Sequence, residues 1–231
     1  MPLIDRTLVS DFPLFAGLAD AEIDGVLREA RSVRFPKNTA VFQQGGEANS
    51  VFILLHGRVR AAKGTPEGEQ IVVRYVSPGE VFGVAMAIGM TTYPATAMAV
   101  VDSVVLVWPS AAWAKLMAAH PQLAANAMQS LGGRLQEAHA RVIEMTTEEV
   151  ERRVARALLR LANQAGRKVA HGVEIDFPIS RQDVAEMTGT TLHTVSRILS
   201  AWEHRGLVKS GRQRIAIREP HKLFALAEGG E

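Results

Sequence analysis

Residues 179–207, ISRQDVAEMTGTTLHTVSRILSAWEHRGL, constrain the chain more than any other stretch, because they read as two short amphipathic helices joined at a glycine. Ser180 is placed to cap the first helix, with Asp183 at its third position, and Val184, Ala185 and Met187 form a short apolar face before Gly189 supplies the turn. Thr190 or Thr191 caps the second. There Val195, Ile198, Leu199 and Trp202 recur at helical spacing, while His193, Ser196, Arg197 and Ser200 fall on the opposite ridge. A helix-turn-helix lays its second helix in the major groove with the N-terminal residues over the base edges. Arg197 is the strongest candidate reader, since a guanidinium takes both acceptors of a guanine at once. A helical hairpin with a solvated polar face would share the pattern.

The segment C-terminal to this hairpin favours DNA. Two strand-like runs, 207–208 and 215–217, flank Ser210 and Gly211 like the two sides of a β-hairpin wing. From Arg197 to Arg218 there are six basic residues, Arg197, Arg205, Lys209, Arg212, Arg214 and Arg218, against one acid, Glu203. This local excess suits a phosphate backbone, which makes Arg212 and Arg214 positioning contacts rather than sequence readers. Ser180, Arg181, Thr191 and Thr194 complete the expected DNA-facing set with His193, Ser196, Arg197 and Ser200.

The basic character is local. The first 147 residues carry 12 basic and 13 acidic side chains, net −1, and the other 84 carry 14 and 11, net +3. A chain of 231 residues, 47% hydrophobic, can bury two modest cores, and two domains are expected. Cysteine is absent, which removes disulfides, thiolate zinc sites and a cysteine-ligated iron–sulfur cluster. The N-terminus has no basic segment ahead of an apolar core, and no apolar run reaches about 18 residues, so the expectation is a cytoplasmic protein with no membrane partner.

Residues 5–32 read as short amphipathic pieces, with Ile23, Val26 and Leu27 on one helical face. From Val33 the period changes. Apolar runs at 40–42, 51–55, 59–61, 71–76, 81–82, 95–100 and 104–107 are separated by glycine-bearing breaks, one of them a β-turn at 65–68 with Pro66 second. Many short strands with frequent turns imply an antiparallel jelly roll. Residues 121–145 return to helix, and Met128, Leu131, Leu135, Ala138, Val142 and Met145 alternate spacings of three and four, the seam of a dimer helix. Gly132 and Gly133 beside it allow close approach. Residues 148–165 continue as helix, with Val150, Val154, Ala157, Leu158 and Leu161 inward and Arg152, Arg153, Arg156 and Arg160 outward, ended by Gly166.

The order of β-roll, long helix and winged helix-turn-helix, with the motifs ISRQDVAEMTGTT, TVSRIL and PGEVFG, resembles the cyclic-AMP receptor protein and fumarate-nitrate reductase regulator family of bacterial transcription factors. The resemblance implies an α+β fold. Its N-terminal antiparallel β-roll, a cyclic-nucleotide-binding-like jelly roll with N-terminal helices, spans 1–120. A dimerisation helix spans 121–146, and a C-terminal winged helix-turn-helix spans 147–231. It further implies a homodimer, double-stranded DNA with an inverted repeat, and RNA polymerase as a partner. GTTLHTVSRILSAWE, YPATAMAV and VEIDFPISRQD are most similar to the NnrR-type regulators of denitrification genes, which implies nitric oxide as the signal, with haem as a cofactor the resemblance admits.

Two departures matter. Nucleotide-binding members hold the ribose with a glutamate and the cyclic phosphate with an Arg-Ser pair; Val84, Pro94 and Ala95 stand there, so cyclic AMP binding is expected to be lost. The pocket is expected to be lined instead by Val84, Met86, Ile88, Met90 and Met98, and the strands to bring inward only apolar groups and His56. In the reading helix, Ser196 and Arg197 match the oxygen-responsive members, which implies a TTG-like half-site. His193 replaces their glutamate and leaves its base pair open. His56, His120 and His139 have no metal-ligand spacing, so no metal ligand is named.

The competing readings are a family member active by abundance alone, one sensing another ligand, a nucleotide-gated interaction module and a cupin-type metalloenzyme. The enzyme needs a histidine and carboxylate cluster that these strands do not supply, and no GxSxG, phosphate loop or HExxH occurs.

Overall fold

The structure, a computed structural model, describes residues 4–230. It divides into two compact units, one of residues up to 68 with 73–137, the other of 69–72 with 138 onward.

The first unit is a β-roll. One sheet orders β1 (Arg31–Phe35), β8 (Ser103–Pro109), β3 (Ser50–His56) and β6 (Val81–Phe82); the other orders β2 (Ala40–Phe42), β7 (Thr96–Ala99), β4 (Val59–Gly64) and β5 (Gln70–Val76). Each pair described is antiparallel. β3 and β8 read as unbroken apolar runs because both their faces are covered. Phe52, Leu54, Val105 and Val107 point into the roll, while Val51, Ile53, Leu106 and Trp108 pack outward against Ile23, Val26 and Leu27 of α1 (Asp20–Arg28). The buried Trp108 indole N–H donates to the Val26 carbonyl at 2.9 Å, which removes the cost of burying that donor. The turn at 65–68 closes as read, with the Gly68 N–H on the Thr65 carbonyl at 3.0 Å and φ +87° at Gly68.

Two roll elements lay outside the expected set. β1 is an edge strand carrying Arg31 and Arg34, so it has no apolar run, and α2 (Ser110–Ala119) is alanine-rich with no polar stripe. α3 (Pro121–Thr147) begins with proline at its first position and is anchored by Leu123, fully buried, and by Asn126, whose amide donates to the carbonyls of Leu14 and Ala16 at 2.9 and 2.8 Å. Beyond that anchor the seam is bare. Met128, Leu135 and Val142 are 69%, 58% and 61% exposed; Met145 and Ala138 are also exposed, Leu131 is half-buried, and Ile143 adds a further exposed apolar side chain. Nothing lies within 4 Å of where a Cβ on Gly132 or Gly133 would stand.

The second unit packs α4 (Val150–Ala165), α5 (Arg181–Thr188), α6 (Leu192–His204) and α7 (Pro220–Glu228) with a sheet ordered β11 (Val208–Gly211), β12 (Arg214–Ile217), β10 (Gly172–Ile175), β9 (Gly166–Val169). β9, β10 and α7 were not anticipated. α4 buries Val154, Ala157, Leu158 and Leu161 as read and half-buries Val150. Its arginine row is not an outward solvated face. Arg156 lies on the half-buried Glu148 at 3.1 Å and on Glu228 at 2.8 Å, Arg160 on Glu144 at 2.6 Å, and Arg153 and Arg152 donate to the carbonyls of Thr188 and Ala227. Burial lowers and these carboxylates raise the Arg156 pKa, and the net shift is upward. Gly166 ends the helix in extended rather than left-handed backbone, φ −86°, because the chain turns directly into β9.

Candidate nucleic-acid interface and sensory cavity

The reading helix is built from its ends inward. Ser180 and Asp183 form a reciprocal capping box: the Ser180 hydroxyl accepts from the Asp183 N–H at 3.1 Å, and the Asp183 carboxylate accepts from the Ser180 N–H at 2.8 Å. The Ser180 hydroxyl also donates to that carboxylate at 2.5 Å, so this side chain serves the cap. Gly189 closes α5 at φ +61°, a left-handed conformation that costs glycine nothing. Thr191 starts α6, its hydroxyl accepting from the Thr194 N–H at 3.1 Å and meeting the Thr194 hydroxyl at 3.0 Å.

On α6, Val195, Leu199 and Trp202 are fully buried and Ile198 nearly so, and Trp202 donates to Glu151 at 2.7 Å. That fixes the roll of the helix about its axis. His193 and Arg197 are left exposed, and Thr194, Ser196 and Ser200 half-exposed, along one ridge. Ser200 also lends its carbonyl to the His204 ring at 2.7 Å. Arg181 is tied to the wing instead of standing free: it donates to the Ser210 hydroxyl at 2.7 Å and lies 3.7 Å from Glu203, which itself accepts from the Ser210 N–H at 2.6 Å. Wing and reading helix are therefore braced against each other. The wing turn falls at Arg212-Gln213, two residues beyond Ser210, with Gln213 at φ +58° and Gly211 paired to Arg214. Arg212 projects from its tip, exposed, whereas Arg214 is held by Glu174 at 2.8 Å.

The sensory half differs more from expectation. A cavity of about 180 Å3 lies in the roll, lined among others by Val84, Ile88, Tyr93, Pro94 and Ala95. Met86 and Met90 are exposed, and Met98 sits on the opposite face of β7 from Ala97, so none of the three lines it. His56 is exposed at the end of β3 rather than inward. The unanticipated members are two arginines, Arg74 of β5 and Arg134 of α3, both on the cavity wall. Burial, and next the neighbouring Arg74 charge, push the Arg134 pKa down to about 10. A second cavity of about 260 Å3 is lined by Trp113, Met117, Met128 and Leu131.

Haem does not fit these cavities. No histidine lines either, and His120 is 3.5 Å from Glu22. Tyr93, a phenol on the first cavity wall, donates to the Ser50 carbonyl at 2.8 Å, and burial raises its pKa, which disfavours the phenolate a metal would need. Among the described residues no three histidine, aspartate or glutamate side chains gather as a metal site, and no helix is long and apolar enough to cross a membrane.

A roll with an internal cavity and a capped, wing-braced helix-turn-helix define a ligand-binding-type domain joined to a DNA-binding domain. The cyclic nucleotide-binding domain family matches residues 32–120, and the Crp-like helix-turn-helix domain family matches 152–226. The cyclic AMP receptor protein of Thermus thermophilus is 31% identical over 217 residues, covering 94% of this chain and 97% of that protein. The transcriptional activator protein FnrA of Stutzerimonas stutzeri is 25% identical over 220 residues, covering 94% and 88%. The structure of FixK2 from Bradyrhizobium japonicum superposes with a TM-score of 0.75 at 26% identity, covering 85% of this chain and 96% of that one. The chain belongs to the Crp/Fnr family, and it is a DNA-binding transcription regulator, not an enzyme.

Proposed function

We propose that this regulator works as a homodimer that reads a two-fold symmetric operator with TTG-like half-sites about one helical turn apart and answers to a small-molecule signal in the roll, with RNA polymerase as its downstream partner. The observation that carries the reading is Arg197, exposed in the first half of a helix whose opposite face is wholly buried and whose start is capped at Thr191. The bare seam on α3 supports the dimer, because a row of exposed apolar side chains at heptad spacing finds cover in a second copy of itself. The roll, the long helix and the DNA-binding domain act as the three divisions 1–120, 121–146 and 147–231.

The finer placement, an NnrR-type regulator of denitrification genes under nitric oxide, is supported by the motifs GTTLHTVSRILSAWE, YPATAMAV and VEIDFPISRQD. Without an imidazole on either cavity, that placement speaks for the class of target genes more than for direct sensing through haem. The side chains of Val84, Pro94 and Ala95 offer neither a hydrogen-bonding partner for a ribose hydroxyl nor a cation for a cyclic phosphate, so cyclic AMP is not the expected effector.

Fluorescence anisotropy with an inverted-repeat duplex and a scrambled duplex tests the DNA reading. Arg197→Ala is expected to cost about 1–3 kcal/mol per half-site on the repeat and little on the scrambled duplex. Equal, unchanged affinity for both would remove Arg197 from the base-reading role.

A further inference from the structure

The cavity in the roll holds a pair of cations for which DNA binding and dimerisation have no use. Arg74 and Arg134 come from different elements, sixty residues apart, yet both guanidinium groups donate to one backbone carbonyl, that of Val81; Arg74 does so at 3.4 Å. Two cations meeting at a neutral acceptor repel each other, and the wall of an apolar cavity screens them poorly. One carboxylate compensates directly, Glu80, 2.6 Å from Arg74. Glu137, one turn along α3, acts on Arg134 only through its field, and no carboxylate among the described residues lies within 4 Å of the Arg134 guanidinium. A half-buried cation thus faces the cavity without an ion-pair partner.

The rest of the wall is apolar and largely aromatic. Phe42 stacks on Tyr93 with ring centroids 3.9 Å apart and lies 6.0 Å from Phe82, and all three line the cavity with Pro94 and Ala95. A dry cavity of roughly 150 Å3 takes one benzene ring, so about 180 Å3 suits a single ring with a short acid arm. A phosphate is a poorer match, because among the described lining residues the only side-chain donor besides the two arginines is the Tyr93 hydroxyl, and that already donates to the Ser50 carbonyl at 2.8 Å.

We propose that the roll cavity binds a small aromatic carboxylate, its acid group taken by Arg134 with Arg74 and its ring held among Phe42, Phe82, Tyr93 and Pro94. The carboxylate would bridge the two guanidinium groups and so join α3 to β5. The inference rests on the reading of the roll as the sensory half and names the chemical class that half would answer to.

Calorimetry on the purified full chain, with no DNA present, tests it using benzoate, phenylacetate, 3-phenylpropionate, the neutral phenylacetamide, inorganic phosphate and cyclic AMP. At least one acid is expected to saturate at one per subunit, with the amide and the Arg134→Gln variant each weaker by about tenfold or more. Ala95→Phe, which fills the ring site and leaves the cations in place, is expected to abolish binding, and it decides the matter should Arg134→Gln fail to fold. The acid and amide pair on the unaltered chain is a third, mutation-free arm. No binding by any of the three acids, equal binding by acid and amide, or tighter binding of phosphate or cyclic AMP overturns the proposal. Such a result leaves the DNA reading untouched, just as a failed Arg197 experiment leaves this one standing.

Discussion

The proposed dimer seam makes a quantitative prediction through Leu135. Its side chain is 58% exposed on a helix already held at its N-terminal end by Leu123 and Asn126, so trimming it leaves the subunit's own core alone. Leu135→Ala removes three carbons, worth about 2.4 kcal/mol if their full surface left water at about 0.8 kcal/mol per methylene. Scaled by the exposed fraction, this comes to about 1.4 kcal/mol per subunit and, with two copies of the residue across a two-fold axis, about 3 kcal/mol per dimer. That weakens dimerisation by about 100-fold. Alanine is the strongest helix former, so the helix itself should not suffer. Sedimentation velocity over a concentration series reads the dissociation constant, and a circular dichroism melt at a concentration where both proteins are monomeric reads the fold. Gln136→Ala, exposed one residue away and off the seam, is the control and should move the constant by less than about threefold. A Leu135→Ala protein that dimerises as tightly as the parent would show that these positions do not meet across an axis, and the heptad argument would fail with it.

On the wing, Arg212→Ala should lower the slope of log affinity against log salt by about 0.9 per subunit, whereas Arg214→Ala should lower it less, because Glu174 already holds that cation at 2.8 Å. Salt titrations of a scrambled duplex read both, and equal slopes for the two variants would contradict the assignment. Gly166→Ala would place a Cβ 2.1 Å from the Ala162 carbonyl oxygen and 2.4 Å from Val173, so a loss of about 2–3 kcal/mol in a urea melt is expected, and a neutral result would refute the close approach. Asp102 is kept below its ordinary pKa first by the Lys37 N–H and then by Arg34. A carboxylate depressed on folding adds stability above its unfolded value and loses it as pH falls through the folded one, so Asp102→Asn should lower the melting temperature at neutral pH, converge with the parent in acid, and so flatten the acid limb below about pH 4. An identical acid limb in the two proteins would count against that ion pair.

Legibility followed locality. The helix-turn-helix could be read because cap, apolar face and turn glycine lie within thirty residues and agree with one another, and Ser180, Gly189 and Thr191 each do what their chemistry suggests. β3 and β8 could be read because burial on both faces writes an unbroken apolar run. β1 could not, since an edge strand with two arginines has no such run. α7 left its proline and Gly229 in view, but a nine-residue helix after a wing offers little periodicity to confirm them. The Arg74 and Arg134 pair was out of reach for another reason. Within the heptad, Arg134 is only a polar position beside Leu135, and nothing in the order of residues states that α3 brings it to the carbonyl that Arg74 also uses.

In the DNA-binding unit the charge excess keeps its size while its members change role. Six basic residues against one acid between Arg197 and Arg218 left an excess of five. In the folded unit Arg214 is neutralised by Glu174, a residue outside that window, and Glu203 is answered by Arg181, also outside it. Five exposed cations remain, Arg197, Arg205, Lys209, Arg212 and Arg218, without an ion-pair partner among the described residues. The four arginines of α4, which a count over the whole unit would add, are spent on Glu144, Glu148, Glu228 and two backbone carbonyls. The basic residues thus divide into a set that ties α4, the wing and α7 together and a smaller exposed set whose charge is left unpaired among the described residues, the set proposed to meet phosphate. A substitution in the first set should lower stability at every salt concentration, and one in the second should act through salt-dependent affinity.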